Sequence, residues 1–352
     1  MFAGIDTHKD TLAVAVVDVL GSQLAGLEVA NTEVGFAQIL ELLGAHRVVR
    51  VGVEGSGNFG RAVAAHLSGR GVDVREVPTS MSSRERAARP GQGKTDEVDA
   101  LAIARLAGRE PGLPPARLVV GLAADLRSLL DYREDLVDEH HRLVNQVHAE
   151  LTGLLPGYQH IYPHLKTSAQ VSAVLELLDG DDRVRAVLTR RRLSRALEVV
   201  VEARAVHKQI AQMIAGHAEH VAAIYGAGPI LAARFVAEIV DIERYPTRDA
   251  FASANGSAPL AASSGRTVRH RLNRGGNRRL NRALYVMAIT QARADTEGRA
   301  YYARKRAKGK TAREAIRCLK RQLSDQVYKA MRADAAAAAL GGPAAASTPV
   351  AA

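Results

Sequence analysis

The chain has 352 residues, 47% of them hydrophobic, which is room for two or three domains with cores of their own, and no apolar run approaches the roughly 18 residues of a membrane span. The opening MFAGIDTHKD sets an aspartate where a secretory leader needs apolar residues, and the single cysteine, Cys318, can form neither an internal disulfide nor a zinc cluster, so a soluble intracellular protein with any metal held by oxygen is expected. The net charge of +11 is uneven: Arg266 to Arg332 holds 20 Lys/Arg against four acids, or +16, which points to a polyphosphate partner or, more blandly, a solvated helical face.

Three short strands open the chain: Phe2 to Asp6, the apolar run Thr11 to Val19, and Gln23 to Ala30, with Gly21 in a turn. Asn31 is read as the N-cap of a helix ending at Gly44. Val48 to Glu54 is a fourth strand, Asn58 to Leu67 a second helix, and Val72 to Val77 a fifth strand. That order predicts a mixed sheet with helices against its faces. Arg84 to Gly93 is read as a basic loop, and Thr95 or Asp96 opens a helix to about Gly108.

Pro111, Pro114 and Pro115 mark a linker. Beyond it Leu122, Leu129, Leu136 and Leu143 recur every seven residues, as do Leu130, Val137, Val144 and Leu151, which gives an apolar stripe over 121–155. A second long helix is expected over Arg191 to Ala223, paired with the first either within one chain or between chains, while 156–190 carries no clear pattern. The Gly226-Ala227-Gly228-Pro229 break has the form of a helix-hairpin-helix turn or of a simple helix breaker. The pattern from Asn277 to Arg332 is helical and basic, and the alanine-rich tail after it has too little bulky apolar content to fold.

Four acids stand out by location. Asp6 and Glu54 end predicted strands, and Asp96 and Asp99, three apart, project from one face of a helical first turn. Oxygen-only clusters of this kind suit Mg²⁺ and two-metal phosphodiester chemistry. Taken singly, Asp6 reads equally as a strand-end turn former and Asp96 as an N-cap. Glu54 in VGVEGSG is harder to explain structurally, because an acid ends an apolar strand and glycines after it leave room for a ligand.

MFAGIDTHKDTLAVAVVD, VGVEGSGNFG and GKTDEVDALAIARLA resemble the three blocks of the Asp-Glu-Asp-Asp tetrad of the bridge-RNA-guided insertion-sequence transposases. The stretch from Gly226 to Ala288 is similar to that family's transposase domain. The resemblance implies an α/β plus α architecture: a ribonuclease-H-like (RuvC-type) mixed sheet domain over 1–110, a helical coiled-coil segment over 116–220, a mostly helical transposase domain over 221–332, and a disordered tail over 333–352. Carried over, the tetrad falls on Asp6, Glu54, Asp96 and Asp99 as ligands of Mg²⁺, and the nucleophilic serine on Ser264, with Ser263 its nearest confounder. Arg266, Arg269, Arg271, Arg274, Arg278 and Arg279 follow as nucleic-acid contacts. Its further implications are donor and target DNA, a structured guide RNA, a homo-oligomer (dimer or tetramer), no membrane, and a prokaryotic cytoplasm close to the nucleoid.

Three other readings stay open on the residues alone. They are a RuvC-type nuclease that uses water and leaves Ser264 a spectator, a DNA invertase, and a nucleic-acid-binding protein without catalysis.

Overall fold

The computed structural model describes residues 1–87, 95–116, 118–162, 164–165, 167–261, 270–271, 273 and 275–340, and the chain divides into two compact units, Met1–Gly121 and Leu122–Ala352. In the first, β1 (Phe2–Thr7), β2 (Thr11–Val17) and β3 (Gln23–Ala30) form an antiparallel meander. After them come α1 (Glu33–Ala45), β4 (Arg50–Val53), α2 (Arg61–Ser68), β5 (Val74–Glu76), α3 (Thr79–Ala87) and α4 (Asp96–Arg109). β4 lies parallel to β1 and β5 parallel to β4, so the sheet order is β3-β2-β1-β4-β5. Three antiparallel strands extended by two parallel ones in this order give the expected ribonuclease-H-like domain.

Both faces of the central strands are covered, which is why β2 reads as an unbroken apolar run. Leu12, Val14 and Val16 face α1 and α2 through Phe36, Ile39, Val63 and Leu67, while Ala13, Ala15 and Val17 face Ala100, Leu101 and Ala104 of α4. The small residues on the α4 side have a purpose. A Cβ on Gly4 of β1 would stand 2.2 Å from the main-chain nitrogen of Ala104 and 2.3 Å from the carbonyl oxygen of Ala100, so only glycine lets α4 lie directly on the strand.

Three local readings need correction in this unit. Thr32, not Asn31, caps α1 by accepting from Gly35 N; the Asn31 side chain instead donates to the carbonyls of His8 and Phe59. The second helix begins at Arg61, because Asn58 and Gly60 donate their N–H groups to the Gly55 carbonyl in a turn. The stretch read as a basic loop from Arg84 is helical through Ala87 as the end of α3; 88–94 lie outside the described residues.

The second unit is helical: α5 (Gly121–Leu154), α6 (Tyr158–Ile161), α7 (Ser168–Leu177), α8 (Val184–Ile214), α9 (Glu219–Ala222), α10 (Gly228–Ile239), a short 3-10 turn (Ile242–Arg244) and α11 (Arg248–Ala254). A two-residue ladder, β6 (Leu260–Ala261) against β7 (His270–Arg271), precedes α12 (Arg278–Arg293), α13 (Glu297–Ala307) and α14 (Ala312–Leu340).

The long helices α5 and α8 pack antiparallel within one chain. Tyr132 meets Glu202, Arg195 meets Glu139 at 2.9 Å, and Arg185 meets Glu150 at 2.8 Å. These exposed contacts contribute little each. The apolar stripe carries the pairing, Leu126, Leu130 and Leu136 joining Val199, Val206 and Ile210 in one core, and Val147, Leu151 and Leu154 joining Ala186 and Leu193 in another. That second core explains 156–190, where α6 and α7 contribute Tyr158, Val171 and Val174. α8 starts earlier than the expected Arg191 and ends at Ile214, just before Gly216, whose φ is +78°.

The division at 220 does not hold as a boundary between separate cores. Leu126, Leu130 and Leu136 share theirs with Phe235, Phe251, Leu284 and Leu323. A buried Arg234 on α10 also binds Asp131 and Glu134 of α5. The Gly226 turn packs against Thr290 of α12, and the Tyr225 carbonyl accepts from Gln291, so this turn is built into the unit's packing. The expected disordered tail is also too long. α14 continues to Leu340, and Asp334 accepts from the N–H groups of His220 and Val221 at the start of α9. Alanine's helix propensity substitutes there for bulky apolar contacts; 341–352 lie outside the described residues.

Candidate active site

The parallel register sets Ile5 beside Val53, and Glu54 N donates to the Ile5 carbonyl, so Asp6 and Glu54 leave the C-terminal ends of adjacent strands side by side. α4 supplies the other two acids. Thr95 is its N-cap, accepting from Val98 N, which frees Asp96 from the capping role and leaves Asp96 and Asp99 in the first turn. Because Gly4 admits α4 onto β1, Asp99 comes close enough to Asp6 to raise its pKa.

Each acid has a different partner. Asp6 is buried and accepts from its neighbour Thr7 N at 3.0 Å. Glu54 accepts from the Ser82 hydroxyl of α3 at 2.6 Å, while Thr7 Oγ1 donates to the Glu54 carbonyl at 2.8 Å. Asp99, also buried, is ion-paired with Arg86 of α3. Asp96 is exposed and shares His8 with Asp6, the imidazole Nε2 lying 3.1 Å from Asp96 and 3.3 Å from Asp6. His8, Ser82 and Arg86 were not legible as site residues. The one available signal was that His8 stands two residues past Asp6, where the strand ends.

Burial raises the pKa of Asp6; His8 opposes this and the nearby Asp99 and Glu54 add to it. Such a gathering of like charge is what a divalent cation relieves, and the carboxylates are hard oxygen donors of the kind such ions take. One ligand atom each from Asp6, His8 and Asp96 already lie within 4.8 Å of one another. The set fits a divalent metal, with Asp6 at its centre.

In the second unit Ser264, with Ser263, Arg266, Arg269 and Arg274, lies outside the described residues; the β6/β7 ladder pairs Leu260 with Arg271 and Ala261 with His270 on either side of 262–269. Arg278 is the exposed first residue of α12. Arg279 is engaged within the unit, 3.2 Å from the buried Glu238 and 3.0 Å from Asp131, so its guanidinium ties α12 to α10 and α5. No helix among the described residues is long and apolar enough to cross a membrane.

Comparison with known proteins finds matches in both units. Residues 3–156 match the IS110 DEDD transposase domain, and residues 218–303 match the transposase domain of the IS116/IS110/IS902 family. The 44.8 kDa protein of insertion element IS116 from Streptomyces clavuligerus is 27% identical, over 94% of both chains. The 42 kDa protein of IS900 from Mycobacterium paratuberculosis is 27% identical over 94% of this chain and 96% of its own. Among solved structures, Thermus thermophilus RuvC in complex with a Holliday junction substrate is 21% identical, covering 33% of this chain and 99% of its own with a TM-score of 0.27. The domain matches make the protein a transposase, an enzyme that cuts and rejoins DNA strands. It carries the two transposase domains of the IS110/IS116/IS902 insertion-element family.

Proposed function

We propose that this transposase recombines DNA through a covalent phosphoserine, with Asp6, Glu54, Asp96 and Asp99 as its Mg²⁺ site. The observation that carries the acidic half is the convergence of Asp6, Glu54 and Asp99 from two strand ends and one helix turn, seen in the Glu54 N to Ile5 hydrogen bond and in the charge of Asp99 and Glu54 on Asp6. Mg²⁺ bound there supplies a Lewis acid for the negative charge that builds on the reacting phosphate. Asp6 and Asp99 gather the charge, and Ser82 holds Glu54 in place.

Ser264 is assigned on the family's Ser-Gly block, here Ser264-Gly265. Its Oγ forms a bond to phosphorus as the bond from phosphorus to the 3′ oxygen breaks; the hydroxyl proton leaves and the 3′ oxygen departs as a hydroxyl. A second 3′-hydroxyl attacks the phosphoserine in the reverse sense, and the strands rejoin without external energy. The family resemblance adds a structured guide RNA whose base pairing reads the donor and target DNA, with the protein reading RNA shape and backbone. It also supports a homo-oligomer, dimer or tetramer.

The test is covalent trapping on a nicked DNA substrate, followed by denaturing electrophoresis. Wild type and Ser263→Ala are expected to form an adduct, and Ser264→Ala to bind DNA without one. The DEDD description of the N-terminal match favours a second reading, in which the acids direct water and Ser264 is a spectator. Cleavage by Ser264→Ala at near the wild-type rate decides for water.

A further inference from the structure

The described residues on either side of 262–269 are joined by a set of asparagines. Asn277 N donates to the Ala254 carbonyl at 2.7 Å, and Asn273 Nδ2 donates to the Ser253 carbonyl at 2.9 Å. Gly276 lies so close to Gly256 that a Cβ on it would stand 2.3 Å from the Gly256 nitrogen. Asn255, fully buried, accounts for its side chain by donating to Ser324 Oγ at 2.8 Å, and Asn281 Nδ2 donates to the Asn255 carbonyl at 2.9 Å. The last member is Lys320 of α14, whose ammonium donates to Asn281 Oδ1 at 2.6 Å.

Lys320 is out of place in that network. An ammonium has three donors, and among the described residues one is used. It is half-buried beside two further cations, Arg278 of α12 and Arg317 one turn back on its own helix, both exposed. Among the described residues none of the three forms an ion pair, although Arg234, Arg279, Arg321 and Arg332 nearby in the same unit all do; the one acid that feels any of them is the exposed Glu314, one turn before Arg317 on α14. Burial first, then the two arginines, hold the Lys320 pKa down to about 8. The fold therefore gathers three cations against one exposed acid, with Lys320 fixed through Asn281 to Asn255. Solubility alone would be served by exposed lysines without burial.

We infer that Lys320, Arg278 and Arg317 form a phosphate site, which grips one backbone phosphate of the nucleic-acid strand beside the 256–277 segment. An oxyanion there supplies further acceptors, and the guanidiniums, Arg278 one turn before Asn281 on α12 and Arg317 one turn before Lys320 on α14, supply charge-assisted donors. Because Lys320 is tied to Asn255 through Asn281, the gripped phosphate is registered against the residues that lead into the segment. The three are binding and positioning residues and take no part in bond breaking. This site rests on the reading of the second unit as a nucleic-acid binder.

The test is fluorescence-anisotropy binding in EDTA, so that no chemistry intervenes, with a labelled DNA duplex and a labelled RNA hairpin between about 50 and 200 mM salt. Lys320→Met is expected to reduce the slope of log affinity against log salt by about 1, equally across sequences, and Lys320→Arg to keep it. Arg278→Ala with Arg317→Ala, both exposed positions, repeats the measurement should Lys320→Met lose its helical circular dichroism. A slope change on DNA alone assigns the phosphate to DNA, on RNA alone to RNA, and on both to either backbone. Unchanged slopes on both probes in the folded variants overturn the site. A wild type that binds neither probe overturns the site and the function together, whereas binding without a slope change overturns the site alone.

Discussion

The two units place charge in opposite ways. In Met1–Gly121, with 13 Lys/Arg against 14 acids, the negative groups converge: Asp6, Glu54 and Asp99 are drawn together by strand register and one close helix–strand contact, and each has an identified partner. In Leu122–Ala352 it is positive charge that is left over, because Arg234 and Arg279 are used to neutralise the buried Glu238 while Arg278, Arg317 and Lys320 form no ion pair among the described residues. The difference teaches where to look for each function. Repulsion held in place by a rigid sheet is what a bound cation would relieve, and cations in excess of acids are what a phosphate would relieve.

The largest expected effect breaks the first half of that comparison. Asp6→Ala, Glu54→Ala and Asp99→Ala should each lower strand cleavage by on the order of 10³-fold or more while the protein stays folded by circular dichroism. A variant with wild-type cleavage removes that acid from the site. Gly4→Ala should follow: its methyl meets main-chain atoms of Ala100 and Ala104, and with no soft side chain to yield, α4 must move. The expected cost is about 1–3 kcal/mol in denaturant unfolding, together with loss of cleavage although every acid is present.

His8→Ala should cost less, roughly 10-fold in cleavage, if the imidazole orients Asp6 and Asp96 and the carboxylates hold the ion. A loss as deep as that of Asp99→Ala would make His8 a metal ligand. On the other side of the comparison, Arg279→Ala should lower stability by about 1–3 kcal/mol, since the buried Glu238 loses a partner, and leave the salt slope of binding nearly unchanged. A fall in slope like that of Lys320→Met would return Arg279 to the nucleic-acid surface.

The smallest effect concerns pH. Asp6 has its pKa raised in the fold, so its contribution to stability is present below its unfolded value and is lost as pH rises through the folded one. Asp6→Asn should therefore raise the melting temperature of the metal-free protein at pH 7 and give no gain near pH 3. A gain of the same size at both pH values would show that repulsion is not its source.

Much of the first unit was legible because its signals are local. β1, β2 and β3 follow from short apolar runs and turns, and the helix beginning at Thr95 follows from a cap followed by acids. What was not legible depends on tertiary placement. α3 buries only Ser82, so no apolar period announces it, yet it brings Ser82 to Glu54 and Arg86 to Asp99. The heptads of α5 were visible, but they do not say which helix they meet; in the fold α8 of the same chain lies against them, through Val199, Val206 and Ile210. Arg279 looked like its neighbours in sequence and differs only because Glu238 and Asp131 lie against it.

The contact between Gly4 and α4 bears on how copies of a mobile element decay. Inspection of a degenerate copy looks first for a missing acid, yet here α4, which carries two of the acids, rests on β1 backbone to backbone, and a single extra methyl on β1 forces one of them to shift. On the proposed site, a copy is expected to fall silent by a mutation that leaves Asp6, Glu54, Asp96 and Asp99 all in place. A count of live copies in a genome should score position 4 alongside the acids.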